Sequence, residues 1–231
     1  MRRRLAEFLT VFLGVALAFL ADDYRERLGD RRAEEAVLSG LRTDAELNTR
    51  YLSYQIAQNK RVEIGGTELM RLLSVAGNAP ELAVPDTLLM AVAVGLGPYK
   101  PIRGTVDALL NSGELRLVQD PVLRATLAEW PAALSDTNES QRRAVEVVDD
   151  HVLPALIDAG VPLARIFEYY RSWEMESLSS EAQAWATVIP NTPRVRAVVA
   201  LRVRQQAIAR RFLEGLGRVD ARMSDLLGET S

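Results

Sequence analysis

Side chains that could carry out chemistry are few in this sequence. It contains one histidine, His151, and no cysteine. A metal site built from histidine and cysteine ligands is therefore excluded, as is a cysteine nucleophile. No Gly-x-Ser-x-Gly turn presents a serine, and Gly95-Leu96-Gly97 lacks the further glycine and the lysine of a phosphate-binding loop. We predict no catalytic residue, no metal ligand and no cofactor, and we do not expect an enzyme.

Carboxylates are abundant, and composition alone leaves a site of paired acids open. However, Glu34-Glu35 and Asp149-Asp150 lie among arginines or on helical patterns, at spacings typical of solvated helix faces. His151 has Val148 rather than a glutamate three positions before it, which argues against a di-iron bundle. The acidic residues therefore indicate charged helix surfaces.

One ionisable residue has an unusual position, because Glu7 lies inside the apolar run Leu5–Ala21, which follows three arginines. The run has 17 residues. That is about 25 Å of helix, which is short for a hydrocarbon core of about 30 Å unless the arginines extend to the headgroups. We predict a membrane anchor over residues 1–22. The anchor residues that we single out as facing lipid or a neighbouring helix are Leu5, Phe8, Phe12, Gly14, Ala18 and Leu20.

Glu7 and the anchor each have alternative interpretations. An ionisable group in an apolar segment is a functional candidate by default, whereas the proximity of Arg3 and Arg4 indicates an ion pair at the membrane boundary. The run itself could be a cleaved secretory signal, with a loose cleavage site at Ala16-Leu17-Ala18, or a buried helix of a soluble protein. Apolar residues continue beyond that site and three arginines precede the run, so an uncleaved anchor is favoured.

The rest of the chain, residues 23–231, has the pattern of one helical domain. Apolar residues recur at three- and four-residue steps, and no strand is predicted. The fold class is therefore all-α, with an N-terminal transmembrane helix continuing into a bundle of three or four long helices with short helical insertions. The long helices are expected at 30–73, 120–159 and from 193 onwards, and the insertions at 86–94 and 105–113.

Glycine and proline indicate where these helices are irregular. Gly65-Gly66 would bend the first long helix or divide it, and Pro131 and Pro154 would kink the second. The second helix carries an apolar stripe of heptad-like spacing in which Trp130 is the largest side chain. Its members are Leu123, Leu127, Trp130, Leu134, Val148, Val152 and Ala155. We therefore predict that Trp130 is buried in the core.

Polar residues interrupt two of the apolar stripes. Gln141 follows Thr137 on the inward face of the middle helix, and Gln205 lies between Leu201 and Ile208 on the face of the last helix that we predict to be inward. If the helices lie side by side, these amides could form one buried layer. Such a layer would fix the helix register or line a pocket for a small polar ligand, which makes Gln141 and Gln205 candidate functional residues.

Two stretches carry a resemblance to a known family. They are AEFLTVFLGVALAFLADDYRERL, in which Glu7 precedes Gly14 by seven residues, and GTVDALLNSGELRLVQDPVLRATLAEW. Both resemble a family of uncharacterised bacterial single-pass membrane proteins, with a Glu/Gly-containing anchor and a helical domain that carries a Ser-Gly turn. Asp23-Tyr24 departs from the amide-tryptophan pair of that family. The resemblance implies an anchor and a helical domain, and it implies no activity.

These observations lead to two functional hypotheses. The first is a non-enzymatic, membrane-anchored helical interaction or scaffold module, which binds the lipid bilayer and an unidentified protein and which could self-associate. The alternative is a ligand-sensing or enzymatic domain with a site in the bundle interior. Arg2–Arg4 favour a cytoplasmic N-terminus and a periplasmic domain at the bacterial inner membrane. The formal net charge of −3 argues against nucleic-acid binding.

Overall fold

A computed structural model describes residues 2–164, 166–167 and 185–229, with the backbone alone at 2–11, 16 and 229. Most of these residues are helical, so the predicted all-α class is confirmed in this coarse form. The helices are α1 (Arg2–Val75), α2 (Asp86–Ala93), α3 (Gly104–Ser112), α4 (Pro121–Val147), α5 (Leu153–Asp158) and α6 (Pro193–Glu229), with a 3-10 turn at Glu114–Leu117 and a π-helical segment at Val148–Val152. Two strands are added to them, β1 (Glu81–Pro85) and β2 (Ala186–Pro190).

The chain divides into two compact units. The first unit is Met1–Glu46, Ile102–Ala128 and Met223–Ser231, and the second unit is Leu47–Pro101 and Glu129–Arg222. In the second unit a continuous apolar core forms around α2. Its largest contributors include Leu69, Leu73, Leu89, Val92, Leu156, Ile166, Ile189 and Val199.

The first unit is held by hydrogen bonds between segments distant in sequence. Arg42 Nε donates to the carbonyl of Leu227 at 3.0 Å, and the backbone N–H of Thr105 donates to Asp44 Oδ2 at 3.2 Å. A Cβ added at Gly40 would lie 3.1 Å from Thr105 Oγ1. The absence of a side chain at Gly40 therefore allows the start of α3 to approach α1 closely.

Helix α1 continues through Gly65-Gly66, so the predicted alternative of two separate helices meeting there is wrong. The two glycines have another role, because a Cβ at Gly65 would lie 2.6 Å from Ala91 Cβ and one at Gly66 would lie 2.8 Å from Val203 Cγ2. Real Cβ atoms do not approach so closely. The glycine pair therefore lets α2 and α6 pack directly against the backbone of α1.

Gly65→Ala is expected to destabilise the protein by about 1–3 kcal/mol, because the added methyl group overlaps Ala91 in a packed interface. Gly29→Ala in the same helix is the matched control, since nothing lies within 4 Å of the added Cβ. That substitution should stabilise the helix by about 0.5–1 kcal/mol. Urea unfolding of both variants measures the difference, and a Gly65→Ala variant as stable as Gly29→Ala would contradict the close packing.

The prediction that the chain contains no strand is wrong. β1 and β2 form an antiparallel pair in which Glu81 lies opposite Pro190 and Pro85 opposite Ala186. Each strand has five residues, too few for the alternation of apolar and polar residues to be distinguished from a loop. The partners are also separated by about a hundred positions in sequence, so only the tertiary structure could reveal the pairing.

Helix α4 begins as the sequence predicts. Asp120 Oδ1 accepts hydrogen bonds from the backbone N–H groups of Val122 at 2.7 Å and Leu123 at 3.3 Å. Pro121 is the first helical residue, where its missing N–H has no consequence. The predicted inward stripe is confirmed, and its buried members are Leu123, Leu127, Trp130, Leu134, Val148, Val152 and Ala155.

The two prolines of this region have different consequences. α4 continues through Pro131. Near Pro154 the helix instead widens into the π-helical segment, and Pro154 lies in the first turn of α5. Proline lacks an N–H and clashes with the preceding turn, so a wider turn in front of it relieves that conflict. Gly160, with φ of 71°, then follows α5.

The inward face of α6 differs from the predicted one. Leu201 and Ile208 are only partly buried and Phe212 is exposed. The buried residues of α6 are instead Val195, Val199, Arg202, Gln206, Ala209, Leu213, Leu216, Asp220, Met223 and Leu227. The face is displaced because charged and amide residues occupy buried positions, which a search for apolar spacing passes over.

Candidate functional site

The first candidate site is the start of α1, where apolar side chains are exposed. Large side chains, with exposed fractions from 50% to 72%, cover somewhat more than half of the helix circumference, and the small residues Gly14 and Ala18 occupy the remaining face. These residues are Phe12, Leu13, Val15, Leu17, Phe19 and Leu20. A helix that is apolar all round is stable only in apolar surroundings, and a contiguous exposed patch of this kind marks an interaction surface.

The other predicted anchor residues are placed as follows. No atom lies within 4 Å of a Cβ built at Gly14, and Ala18 is exposed. The side chains of Leu5, Glu7 and Phe8 lie outside the described residues, so the proposed partners of Glu7 are untested. Across the described part of the chain, no helix combines the length and the apolar character needed to cross a membrane.

The second candidate site is a buried arginine in the second unit. Arg202 is only 1% exposed. Its Nη2 donates to the carbonyl of Val94 at 2.7 Å, and its Nη1 donates to Gln206 Oε1 at 2.6 Å. Val94 caps the C-terminal end of α2, where the helix dipole favours a cation. Burial lowers the pKa of Arg202 to about 10, so the guanidinium remains charged at neutral pH.

A chain of amides continues from this arginine. Gln206 Nε2 donates to Asn59 Oδ1, and Asn59 Nδ2 donates to the carbonyl of Gln55 at 2.8 Å. The buried amide of α6 is thus Gln206, and the predicted inward residue Gln205 is only partly buried. The placement of Gln205 on the inward face is therefore wrong by one residue, and the network connects α6 to α1.

Gln141 is buried as predicted, but its partners belong to the loop after α2. Its Oε1 accepts a hydrogen bond from the backbone N–H of Tyr99 at 2.8 Å. The Tyr99 hydroxyl in turn donates to the carbonyl of Asn48 at 3.1 Å. No hydrogen bond joins Gln141 to Gln205 in the part of the chain that the structure describes. Gln141 therefore fixes the position of a loop on α4.

A buried acid completes the interior polar groups of the second unit. Trp130 Nε1 donates to Asp220 Oδ1 at 2.6 Å. Burial raises the pKa of Asp220 to about 6, against the opposing effect of the Trp130 hydrogen bond. Burial, followed by the negative charge of Asp220 and the neighbouring Tyr51, also raises the pKa of Tyr99. Asp220 Oδ2 has no hydrogen-bond partner among the described residues.

This arrangement connects segments of the interior, because Arg202, Gln206 and Gln141 bind carbonyls and amides of neighbouring segments. The described interior also contains a hydroxyl beside a carboxylate, since Thr187 Oγ1 donates to Asp86 Oδ1 at 2.7 Å. The described ranges also contain no cluster of three histidine or acidic side chains that could hold a metal ion. Sequence reasoning missed Arg202, Gln206 and Asp220. The available signal was their spacing of four and fourteen residues, which is close to whole helical turns. That spacing places all three on one face of α6 with Ala209, Leu213 and Leu216.

No protein-family model, no curated protein and no solved structure matches this chain. The resemblance in the two stretches described above therefore remains a prediction from the residues themselves. The function has to be argued from the exposed apolar start of α1 and from the polar groups of the second unit.

Proposed function

We propose that this chain is a membrane-anchored helical interaction module without catalytic activity. In this proposal the N-terminal part of α1 inserts into the lipid bilayer, and the remaining helices present surfaces for a protein partner or for a second copy of the chain. The observation that carries the proposal is the exposure of large apolar side chains around more than half of α1 between Phe12 and Leu20, with only Gly14 and Ala18 on the remaining face.

Physical considerations support lipid as the environment of this stretch. Burying apolar surface contributes about 25 cal/mol per Å². Leu17 and Phe19 are both exposed and lie on nearly opposite faces of the helix at about 100° per residue, so one protein surface cannot cover both. Lipid chains surround a helix completely. The run also continues towards the N-terminus through Leu5 to Val11 in the sequence, and arginines precede it.

The location that we propose is the bacterial inner membrane, crossed once, with the N-terminus in the cytoplasm and the domain in the periplasm. Arg2–Arg4 support this orientation, because basic residues are retained on the cytoplasmic side. Arginines also follow the apolar run. One of them, Arg27, forms an exposed ion pair with Asp23 at 2.8 Å, although acidic neighbours affect the rule little.

The proposal predicts that the protein stays in the membrane fraction after carbonate washing. Changing Phe12, Leu17 and Leu20 together to asparagine should move the protein to the soluble fraction. Each asparagine makes insertion into hydrocarbon less favourable by roughly 1–2 kcal/mol, which amounts to several kcal/mol for the three. The matched control changes Ile64, Val75 and Ile157 to asparagine. These side chains are as exposed, at 58%, 73% and 60%, but lie outside the apolar run.

Three results would count against the anchor. Wild-type protein in the soluble fraction would show that the exposed stretch is covered by protein instead of lipid. A mature N-terminus near Phe19, measured by mass spectrometry, would show that the segment is a cleaved signal. Equal release of both triple variants would mean that loss of apolar surface anywhere weakens the association.

A second candidate function rests on Asp220. This buried acid has one oxygen without a donor among the described residues, as expected if a small polar ligand donates to it. The interior would then be a ligand-sensing site, and Asp220→Asn should abolish binding of a ligand that co-purifies with the protein. Native mass spectrometry of the purified chain tests this, and a mass equal to that of the chain alone would leave only the interaction module.

A further inference from the structure

The outward face of α6 carries a line of arginines. They are Arg204, Arg211, Arg218 and Arg222, all exposed and separated by seven, seven and four residues. These steps place them on one face of the helix together with Ile208 and Gly215. The line, called the arginine stripe below, extends over about 27 Å at about 1.5 Å per residue.

Several arginines of the second unit have an acidic partner, whereas the arginine stripe has none among the described residues. Arg71, Arg143 and Arg210 form ion pairs with Glu68, Glu139 and Glu63 at 2.6, 2.9 and 2.6 Å. Throughout the described ranges, no ion pair involves any of the four arginines of the stripe. An ordinary solvated helix face alternates both signs of charge, whereas this face retains four uncompensated cations.

A groove lies beside the middle of the stripe, between α4 and α6. Its volume is about 370 Å³, and Arg211 and Arg218 stand at its edges. The Phe212 side chain, 42% exposed, forms one wall. Gly215 leaves the groove open, because an added Cβ would meet only Arg218 Nη2, at 3.7 Å. The groove is therefore a partly apolar recess with Arg211 and Arg218 on its α6 side and Asp136 on its α4 side.

We propose that the arginine stripe and this groove bind an acidic amphipathic helix of a protein partner. Carboxylates at seven-residue spacing would pair with Arg204, Arg211 and Arg218, since guanidinium groups bind carboxylates through two parallel hydrogen bonds. One apolar side chain between two of these carboxylates would enter the groove against Phe212. This inference rests on the proposed function as an interaction module, and it adds the chemistry of the protein partner.

A line of cations fits a helix better than it fits a flat anionic surface. Asp136 lines the opposite side of the groove on α4, and Glu129 and Glu139 lie on the same helix. A lipid surface that reached the stripe would also meet these acids. Among the described residues of α6, Phe212 is the only large apolar side chain that is exposed. Helices that lie on membranes instead have a continuous apolar face.

The test uses the full chain in nonionic detergent and a fluorescent 21-residue helical peptide. The peptide has an alanine and glutamine background, glutamate at every seventh position and one leucine four residues after the central glutamate. Changing Arg211 and Arg218 together to glutamine should weaken its binding by about five- to thirtyfold, since two ion pairs of about 0.5–1 kcal/mol each are lost. Added salt should weaken binding to the wild type.

Matched controls separate this site from charge in general. Changing Arg142 and Arg143 to glutamine removes two cations that already form ion pairs with Glu139, and it should leave peptide binding within about twofold. A peptide with glutamine in place of glutamate should not bind. Gly215→Leu should fill the groove and weaken binding of the leucine-containing peptide, and circular dichroism confirms that each variant is folded.

Several results would overturn the inference. They are equal binding of the glutamate and glutamine peptides, equal weakening by both double variants, or no peptide binding by the wild type. If the Arg211 and Arg218 variant instead loses binding to phosphatidylglycerol vesicles while no peptide binds, the stripe recognises lipid. Failure of the anchor leaves this experiment unaffected, because peptide binding in detergent is independent of residues 1–22.

Discussion

Trp130→Ala is expected to lower the free energy of unfolding by about 3–5 kcal/mol. The indole is buried to within 1% of its surface on the inward stripe of α4, so truncation leaves a large cavity. It also removes the N–H group that donates to Asp220 Oδ1, so the buried carboxyl group loses this hydrogen bond. Urea unfolding of the full chain at pH 7 measures the loss.

Two further variants divide this effect. Trp130→Phe retains most of the apolar volume but loses the N–H, so it should account for about 1–3 kcal/mol of the total. Trp185→Ala is the control for removal of an indole, because Trp185 is 48% exposed. Its effect should stay within about 0.5 kcal/mol. A Trp130→Ala variant as stable as Trp185→Ala would show that the ring does not anchor the core.

Asp220 should make stability depend on pH in the opposite direction to most acids. Its pKa rises from 3.8 to about 6 on folding because the carboxyl group is buried. An acid whose pKa is raised binds its proton more tightly in the folded state, so protonation stabilises the fold. The contribution is complete below pH 3.8 and disappears as the pH rises through about 6. Its upper size is about 3 kcal/mol.

Asp220→Asn tests this dependence, because the amide cannot ionise and its oxygen can still accept from Trp130. Relative to the variant, the wild type should lose about 2–3 kcal/mol of unfolding free energy when the pH is raised from 4 to 7. Other titrating groups cancel in this difference. Asp136→Asn, an exposed acid, is the control, and a difference for Asp220→Asn that stays constant with pH would contradict the buried charge.

Local signals in the sequence were sufficient for several helix ends. Asp120-Pro121 begins α4 through the carboxylate cap, and Thr192 accepts the N–H of Val195 at 3.2 Å where α6 begins. Gly113, with φ of 75°, ends α3 in the left-handed conformation. Each of these depends on a few neighbouring residues, so the sequence contains all the information that they need.

The inward stripe of α4 was also predictable, because its residues are apolar and recur at helical spacing. The stripe of α6 was not, since Arg202, Gln206 and Asp220 occupy three of its buried positions. Burying such groups is favourable only when partners distant in sequence are in place. For Arg202 that partner is the carbonyl of Val94, more than a hundred positions away.

The sequence by itself determined the helical class, the start of α4 and of α6, the end of α3, the burial of Trp130 and Gln141, and the apolar run at the start of α1. Only the tertiary structure decided the pairing of β1 with β2, the continuity of α1 through Gly65-Gly66 and the choice of Gln206 over Gln205. The reason is physical. Helix formation and capping depend on residues within one or two turns, whereas close helix packing, strand pairing and buried hydrogen bonds depend on groups that only folding brings together.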